Sequence, residues 1–227
     1  MRIDILVPVA TDFRNDDILQ AALAIPHTVD IGIANIERGA LSIENEYDEA
    51  ISTPYIVELA EKLEREGSSG VIVYCFQQPG AAACKEALGI PVVSLSEPAI
   101  AMASLMGHCI GVVSPMDSSS VAFAKRLGNK VDHYCALNIP ILDYNNPELL
   151  KAALEDRIQK LLDKGCDVIV LGCGSILGMD ISGLQEKYNV PIVEPLHAAI
   201  AACEYMAQCN LRQSKRTFAF PLLKEVK

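Results

Sequence analysis

The sequence predicts an α/β fold with two pseudo-symmetric, Rossmann-like lobes, mainly parallel sheets and an active site in the cleft between the lobes. The first observation is a series of short, continuous apolar runs separated by helical segments, which is typical of parallel strands covered on both faces. The second is an internal repeat, in which residues 70–75 are echoed by residues 167–173, and the segment after Pro91 is echoed by the segment after Pro191. Two similar half-chains therefore follow each other in tandem.

The strands can be placed in order along the chain. Alternating or continuous apolar residues predict strands at 3–9, 29–33, 71–74, 91–93, 110–113 and 168–171. The repeat predicts a first lobe made of residues 1–98 with 206–227, and a second lobe made of residues 99–205. Each half is long enough to form a small open sheet with its own core.

Helix signals lie between the predicted strands. Thr53, followed by a proline, predicts the start of a helix that closes at Gly67. Asn146, also followed by a proline, predicts the start of a helix that closes at Gly165. On composition, the acid-rich segment 42–49 is a solvated helix start, because acidic side chains are favourable near the positive end of the helix dipole.

Composition and charge argue against several classes of partner. The chain has 19 basic and 29 acidic residues, a net charge of −10, and no basic cluster longer than Lys215-Arg216. Nucleic acid and anionic membranes are therefore poor candidates as partners. No apolar run is long enough to span a bilayer, and the first residues resemble a strand rather than an export signal. We expect a cytoplasmic protein.

Two of the eight cysteines are candidate functional groups. Without a leader peptide, eight cysteines favour a reducing compartment with free thiols, and no spacing of the zinc-binding type is present, so we predict no metal site. Cys75 and Cys173 both follow a predicted strand at equivalent points of the repeat, where open α/β sheets bind ligands. We interpret the other six as packing residues: Cys84, Cys109, Cys135, Cys166, Cys203 and Cys209.

Two thiols that face one cleft suit proton exchange at a single carbon. Inversion of a stereocentre next to a carbonyl needs an acid and a base on opposite faces of one plane. We expect a helix N-terminus to bring the thiol pKa near 7, and the backbone N–H groups of 76–77 and 174–175 to hold the enolate. His197 follows the last strand, which favours a side chain that points into the cleft and supports a nearby cysteine, and it is equally interpreted as a helix cap or a satisfied polar group. The candidate substrate-binding residues are Thr11, Phe76, Gln77, Ser114, Gly174, Ser175 and His197.

Four segments carry a resemblance to a known family. Residues 42–50 are S-I-E-N-E-Y-D-E-A, Cys75-Phe76 is followed by Pro79-Gly80, Cys173 lies between two glycines, and Ser214-Lys215 precedes Phe220-Pro221. In this order they resemble the aspartate/glutamate/hydantoin racemase superfamily, and within it the hydantoin racemase branch. The resemblance covers nearly the whole chain. It implies cofactor-independent racemisation of a small hydantoin-like or related carbon acid by Cys75 and Cys173, in a homo-oligomer.

The chain also differs from that branch, and the differences keep alternatives open. Residues 7–12 retain only the Pro and Thr of the usual I-N-P-N-T-S, and Gln77-Gln78 replaces a small residue and an aspartate. Within the superfamily, the alternatives are an aspartate or glutamate racemase and a maleate-type cis-trans isomerase that uses one thiol. The alternative of another class is a non-catalytic module that binds a small molecule.

Overall fold

Two four-stranded parallel sheets form the framework of the protein, whose computed structural model describes residues 1–140, 143–144 and 146–222. The first sheet contains β1 (Arg2–Val7), β2 (Asp30–Asn35), β3 (Val71–Val73) and β4 (Val92–Ser94), in the order β2-β1-β3-β4. The second sheet contains β5 (Ile110–Ser114), β6 (His133–Ala136), β7 (Val168–Leu171) and β8 (Ile192–Val193), in the order β6-β5-β7-β8. The two halves share one topology, and the predicted fold class is confirmed.

Eight helices within the described residues connect and cover the strands. They are α1 (Asn15–Leu23), α2 (Glu46–Arg65), α3 (Ala81–Ala87), α4 (Ser96–Ala103), α5 (Asp117–Leu127), α6 (Pro147–Leu162), α7 (Ile181–Tyr188) and α8 (Pro195–Gln208). A short 3₁₀ turn, Gly128–Lys130, follows α5. In the part of the chain that the structure describes, no helix is both long and apolar enough to cross a membrane.

Helix α2 begins earlier than predicted. The Asn45 side chain accepts hydrogen bonds from the N–H groups of Tyr47 and Asp48, each at 3.0 Å, and so satisfies two of the donors that a helix start leaves free. The predicted start at Thr53 is therefore wrong, and Pro54 lies inside the helix. The acidic segment supplies the first turn, as its composition predicted, because Asn45 caps the helix there.

Helix α6 matches its sequence signals. The Asn146 side chain accepts a hydrogen bond from the N–H of Leu149 at 3.2 Å. Gly165 has a φ of +92°, a conformation that glycine adopts without a steric cost, in the turn that leads to β7. The buried face of α6 consists of Leu150, Leu154, Ile158 and Leu161.

Helices α4 and α8 join the two halves. Helix α4 follows β4 but also contacts β7 and β8 of the second sheet, whereas α8 follows β8 and contacts β3 and β4 of the first. The two helices also pack against each other. One core cluster includes Ile72 of the first sheet and Val170 of the second, both fully buried, so apolar contacts run continuously between the halves. The predicted boundaries of the two lobes stay a prediction.

Candidate active site

Cys75 and Cys173 line the same cavity, which has a volume of about 130 Å³. Each cysteine lies two residues beyond the end of its strand, β3 for Cys75 and β7 for Cys173. These strands occupy the same third place in the order of the two sheets. The equivalent placement brings one thiol from each half of the molecule to a single site, and both side chains stay partly accessible.

A buried hydrogen bond connects the backbone beside the two cysteines. The Tyr74 hydroxyl donates to the carbonyl oxygen of Gly174 at 2.5 Å, so the residue before Cys75 contacts the residue after Cys173. Burial raises the pKa of Tyr74 well above its usual range, which keeps the hydroxyl protonated and able to donate. At Gly174, an added Cβ would lie 2.9 Å from the Tyr74 ring, so this close approach requires glycine.

The surroundings of both thiols oppose ionisation. Burial raises the pKa of Cys75 to about 12, while the N–H of Gln77 acts in the opposite direction. Burial also raises the pKa of Cys173, against the lowering effect of the N–H of Ser175, which lies 3.4 Å from the Cys173 Sγ, and of the Arg14 cation. Both thiols are therefore neutral at pH 7 in these surroundings.

The predicted pKa near 7 is wrong for this structure, because neither thiol lies at the N-terminus of a helix. Helix α3 begins at Ala81 and α7 at Ile181, several residues after the cysteines. Backbone amides of the intervening turns approach the sulfur atoms instead. The N–H of Ser175, which we expected to face an enolate, points to the Cys173 sulfur.

The structure brings together five of the seven residues predicted to bind substrate. Ser114 is fully buried and its Oγ lies 2.6 Å from the Oγ of Ser120, away from the cavity lining. His197 lines a neighbouring cavity, where its Nε2 lies 3.2 Å from the Ala21 carbonyl oxygen and its Nδ1 3.5 Å from a Glu194 carboxylate oxygen. The five that line the cavity with the two cysteines are Thr11, Phe76, Gln77, Gly174 and Ser175.

Residues that sequence reasoning did not single out also line the cavity. Asn15, at the start of α1, donates from its Nδ2 to the Oδ1 of Asn35 at 2.7 Å, and the Asn35 Nδ2 donates to the Thr11 carbonyl. The Asn15 Oδ1 has no hydrogen-bond partner within the described residues. Arg14 adds a positive charge, and much of the remaining wall is apolar, including Phe13. No motif spacing marks Asn15, because its partner Asn35 lies twenty residues away, at the end of β2.

Metal binding finds no support in the side chains that the structure describes. Among residues 1–140, 143–144 and 146–222, no three His, Cys, Asp or Glu side chains lie close enough together to hold a metal ion. The cavity wall itself supplies two thiols, several backbone and side-chain amides and the Arg14 cation.

Comparison with known proteins places the chain in a recognised class of isomerases. A family model described as Asp/Glu/Hydantoin racemase matches residues 13–203, so the chain belongs to the Asp/Glu/hydantoin racemase family and is an isomerase of the racemase type. A protein named hydantoin racemase from Paenarthrobacter aurescens is 28% identical over 95% of this chain and 94% of its own length. Another of that name, from Rhizobium meliloti, is 26% identical over 99% of this chain and 96% of its own length.

The fold is also similar to a solved structure. Allantoin racemase from Klebsiella pneumoniae superposes with a TM-score of 0.92, covering 100% of this chain and 96% of that protein, at 24% sequence identity.

Proposed function

We propose that the protein is a cofactor-independent racemase or epimerase that moves a proton between Cys75, Cys173 and the ring carbon of a hydantoin-like substrate. The observation that carries this proposal is the placement of the two cysteines at equivalent strand ends, where both line one cavity. A planar ring between two such thiols has an acid and a base on its opposite faces, which is the requirement for inversion at one carbon.

In the proposed reaction, the thiolate of one cysteine removes the proton from the ring carbon next to the carbonyl. The electron pair of the broken C–H bond moves into the adjacent carbonyl and forms an enolate. The thiol of the other cysteine then donates its proton to the opposite face, which restores the carbonyl and inverts the stereocentre. The two cysteines finish in exchanged protonation states and return to the starting state by proton exchange with water.

We assign the thiolate of the active form to Cys173. The N–H of Ser175 and the Arg14 cation both favour the charged form of this thiol. Two charges of opposite sign attract most strongly where water is excluded, so the Arg14 contribution grows when substrate fills the cavity. Cys75, with a pKa raised to about 12 by burial, is then the proton donor.

The hydantoin-like ring is supported by the name of the relative from Paenarthrobacter aurescens and by the largely apolar wall of the cavity. The carbon between the carbonyl and a ring nitrogen of a hydantoin bears an acidified proton, which a thiolate can remove without a cofactor. Allantoin carries the same ring, so both compounds belong in the substrate panel.

The test is proton exchange at ring carbon five of 5-substituted hydantoins and of allantoin in deuterated buffer, followed by NMR together with optical rotation. Wild type should exchange and racemise at least one compound. Cys75→Ser and Cys173→Ser should each lose racemisation by about 100- to 10,000-fold, since each change removes one acid/base group. Cys209→Ser is the matched control, because Cys209 is an exposed cysteine at the end of α8.

Other results would contradict the proposal. Full racemisation by both active-site variants would exclude the two-thiol mechanism. A covalent adduct on one cysteine, detected by mass spectrometry with maleate, would indicate a single-thiol isomerase. Tight binding of a ring compound without exchange in wild type would indicate a binding module.

We also propose that the protein forms a homo-oligomer. Large apolar side chains at and after the end of α4 support this, because Leu105 is 80% exposed and Met106 48% exposed. Light scattering on the purified chain should give a multiple of the 24.5 kDa monomer mass, and a monomer mass would contradict the proposal.

A further inference from the structure

Three polar side chains form a network beside the cavity. The Glu49 carboxylate accepts hydrogen bonds from Arg126 on both oxygens, at 2.9 Å from Nη2 and 3.3 Å from Nη1. The same carboxylate accepts a third hydrogen bond from the Gln77 Nε2 at 2.8 Å. This arrangement uses the planar fork of arginine, which makes it a stronger and more directional contact than a single ion pair.

The network crosses between the two halves of the molecule. Glu49 lies in the first turns of α2, which packs against β1 of the first sheet, whereas Arg126 lies near the end of α5, which packs against β5 and β6 of the second. Gln77 belongs to the turn after Cys75 and is only 4% exposed. The Glu49 side chain is 12% exposed and that of Arg126 34% exposed, so solvent screens this ion pair less than one on the open surface.

The turn that carries Cys75 is held by side chains on two sides. Gln77 is bonded to α2 through Glu49, and the adjacent Gln78 donates from its Nε2 to the Ser96 Oγ, at the start of α4, at 2.6 Å. Gln78 has a φ of +62°, which is uncommon for a residue other than glycine and indicates a turn fixed by its surroundings. The backbone N–H of Gln77 acts on the Cys75 sulfur, so the position of this turn sets the environment of the thiol.

We propose that Glu49, Arg126 and Gln77 form a positioning network that fixes the Gln77 amide against the Cys75 sulfur and holds the two halves together beside the cavity. This inference rests on the proposed function, because it assigns the network to a thiol that we propose to be catalytic. None of the three side chains has to contact the reacting carbon. Their effect reaches the reaction through the geometry and the local charge at Cys75.

The charges of the network act on Cys75 in opposite directions. Glu49 raises the pKa of the thiol and Arg126 lowers it, and the third charged or titratable group that acts on this thiol, Cys173, raises it. In the intact network, the two opposite charges largely cancel. Removal of one charge leaves the other uncompensated, so the two neutralising substitutions should shift the ionisation of Cys75 in opposite directions.

The experiment measures the alkylation rate of Cys75 by iodoacetamide against pH, with peptide mass spectrometry to separate this cysteine from the other seven. Glu49→Gln should ionise Cys75 at a lower pH than wild type, and Arg126→Met at a higher pH. Arg126→Lys keeps the charge but loses the bidentate geometry, so it should keep the wild-type pH dependence. Glu155→Gln is the control, because its ion pair with Lys187, at 2.8 Å, lies between α6 and α7 and away from the cavity lining.

Racemisation supplies a second measurement on the same variants. Gln77→Met removes the side-chain donor without a change of charge, and it should lower kcat/KM by about tenfold or more through misplacement of the turn, with KM little changed. Arg126→Lys should lower kcat in the same way while its pH profile stays that of wild type. Circular dichroism and thermal melting of each variant show whether it is folded.

The outcomes separate this inference from the proposed function. Opposite shifts in Cys75 alkylation, with no racemisation of any ring compound by wild type, would retain the positioning network and reject the racemase mechanism. Shifts in the same direction, or none in either neutralising variant while both are folded, would overturn the network even if wild type racemises hydantoins.

Discussion

Replacement of Tyr74 by phenylalanine removes a single hydroxyl from the junction between the two halves. The Tyr74 hydroxyl donates to the Gly174 carbonyl at 2.5 Å, and both residues are buried. Phenylalanine keeps the ring and its packing, so the change leaves a carbonyl without its donor and does little else. Loss of one partner from a buried neutral pair costs about 1–3 kcal/mol.

The expected loss of stability can be converted into a shift of the melting temperature. Unfolding entropy is about 2.1 cal/mol/K per residue, so a chain of 227 residues changes its free energy of unfolding by about 0.48 kcal/mol per degree near Tm. A loss of about 2 kcal/mol therefore lowers Tm by about 4 °C. Tyr134→Phe is the matched control, since within the described residues the buried Tyr134 hydroxyl has no hydrogen-bond partner.

Calorimetry and urea denaturation of both variants measure the difference. Tyr74→Phe should melt several degrees below wild type, whereas Tyr134→Phe should match wild type or exceed it, because it removes an unsatisfied hydroxyl. Racemisation should fall in Tyr74→Phe alone, since its hydrogen bond aligns the backbone next to both cysteines. If both variants were equally stable and active, the bond between the halves would contribute nothing and the reasoning would fail.

Three further predictions concern Gly174 and the buried thiols. Gly174→Ala places a Cβ 2.9 Å from the Tyr74 ring, so it should lower both Tm and kcat/KM in parallel melting and racemisation assays. Wild-type values of Tm and kcat/KM would contradict this prediction, because they would show that the ring can move away without loss of stability or activity. Burial raises the pKa of Cys84 and of Cys203 to about 12 in the folded state, so the unfolded chain releases these protons first. The stability they contribute is complete below about pH 8.5 and is lost as pH rises toward 12, so urea unfolding under reducing conditions should show a falling free energy over that window. Because the pKa of Cys75 is also raised to about 12 and that of the second active-site thiol is raised, kcat/KM for racemisation should increase by about tenfold per pH unit from pH 7 to 9, and a plateau below pH 8 would contradict neutral resting thiols.

Most of the strands and the equivalence of the two cysteines could be predicted from sequence, because continuous apolar runs have few alternatives and the repeat is in the chain itself. Strand β6 was not predicted, because its sequence His-Tyr-Cys-Ala contains no continuous aliphatic run. Capping was harder. Pro54 favoured a helix start at Thr53, but the Asn45 side chain satisfies the free N–H donors several residues earlier and the helix begins there. A local rule for the first turn cannot compare two competing starts.

Contacts between distant residues could not be predicted in this way. The Glu49–Arg126 pair joins residues far apart in sequence. Glu49 lies in the acid-rich segment 42–50, but nothing in that segment indicates Arg126 as its partner. His197 illustrates the opposite error, since its place after the last strand suggested the cavity, whereas its ring nitrogens face Ala21 and Glu194 in an adjacent one. The position of a side chain beyond a strand end depends on the loop conformation, which the apolar pattern does not encode.

The raised thiol pKa values have a chemical consequence for a site of this kind. A thiolate formed from a thiol with a high pKa is scarce at neutral pH, but it is also a stronger base toward a weakly acidic carbon. Burial therefore lowers the population of the reactive form and raises its basicity, and the two effects oppose each other. Amides such as the N–H of Ser175, at 3.4 Å from Cys173, stabilise the charge without admitting water. Apolar walls keep the thiolate strongly basic, while these amides lower the free energy needed to form it. This balance suits proton transfer from a carbon acid without a cofactor.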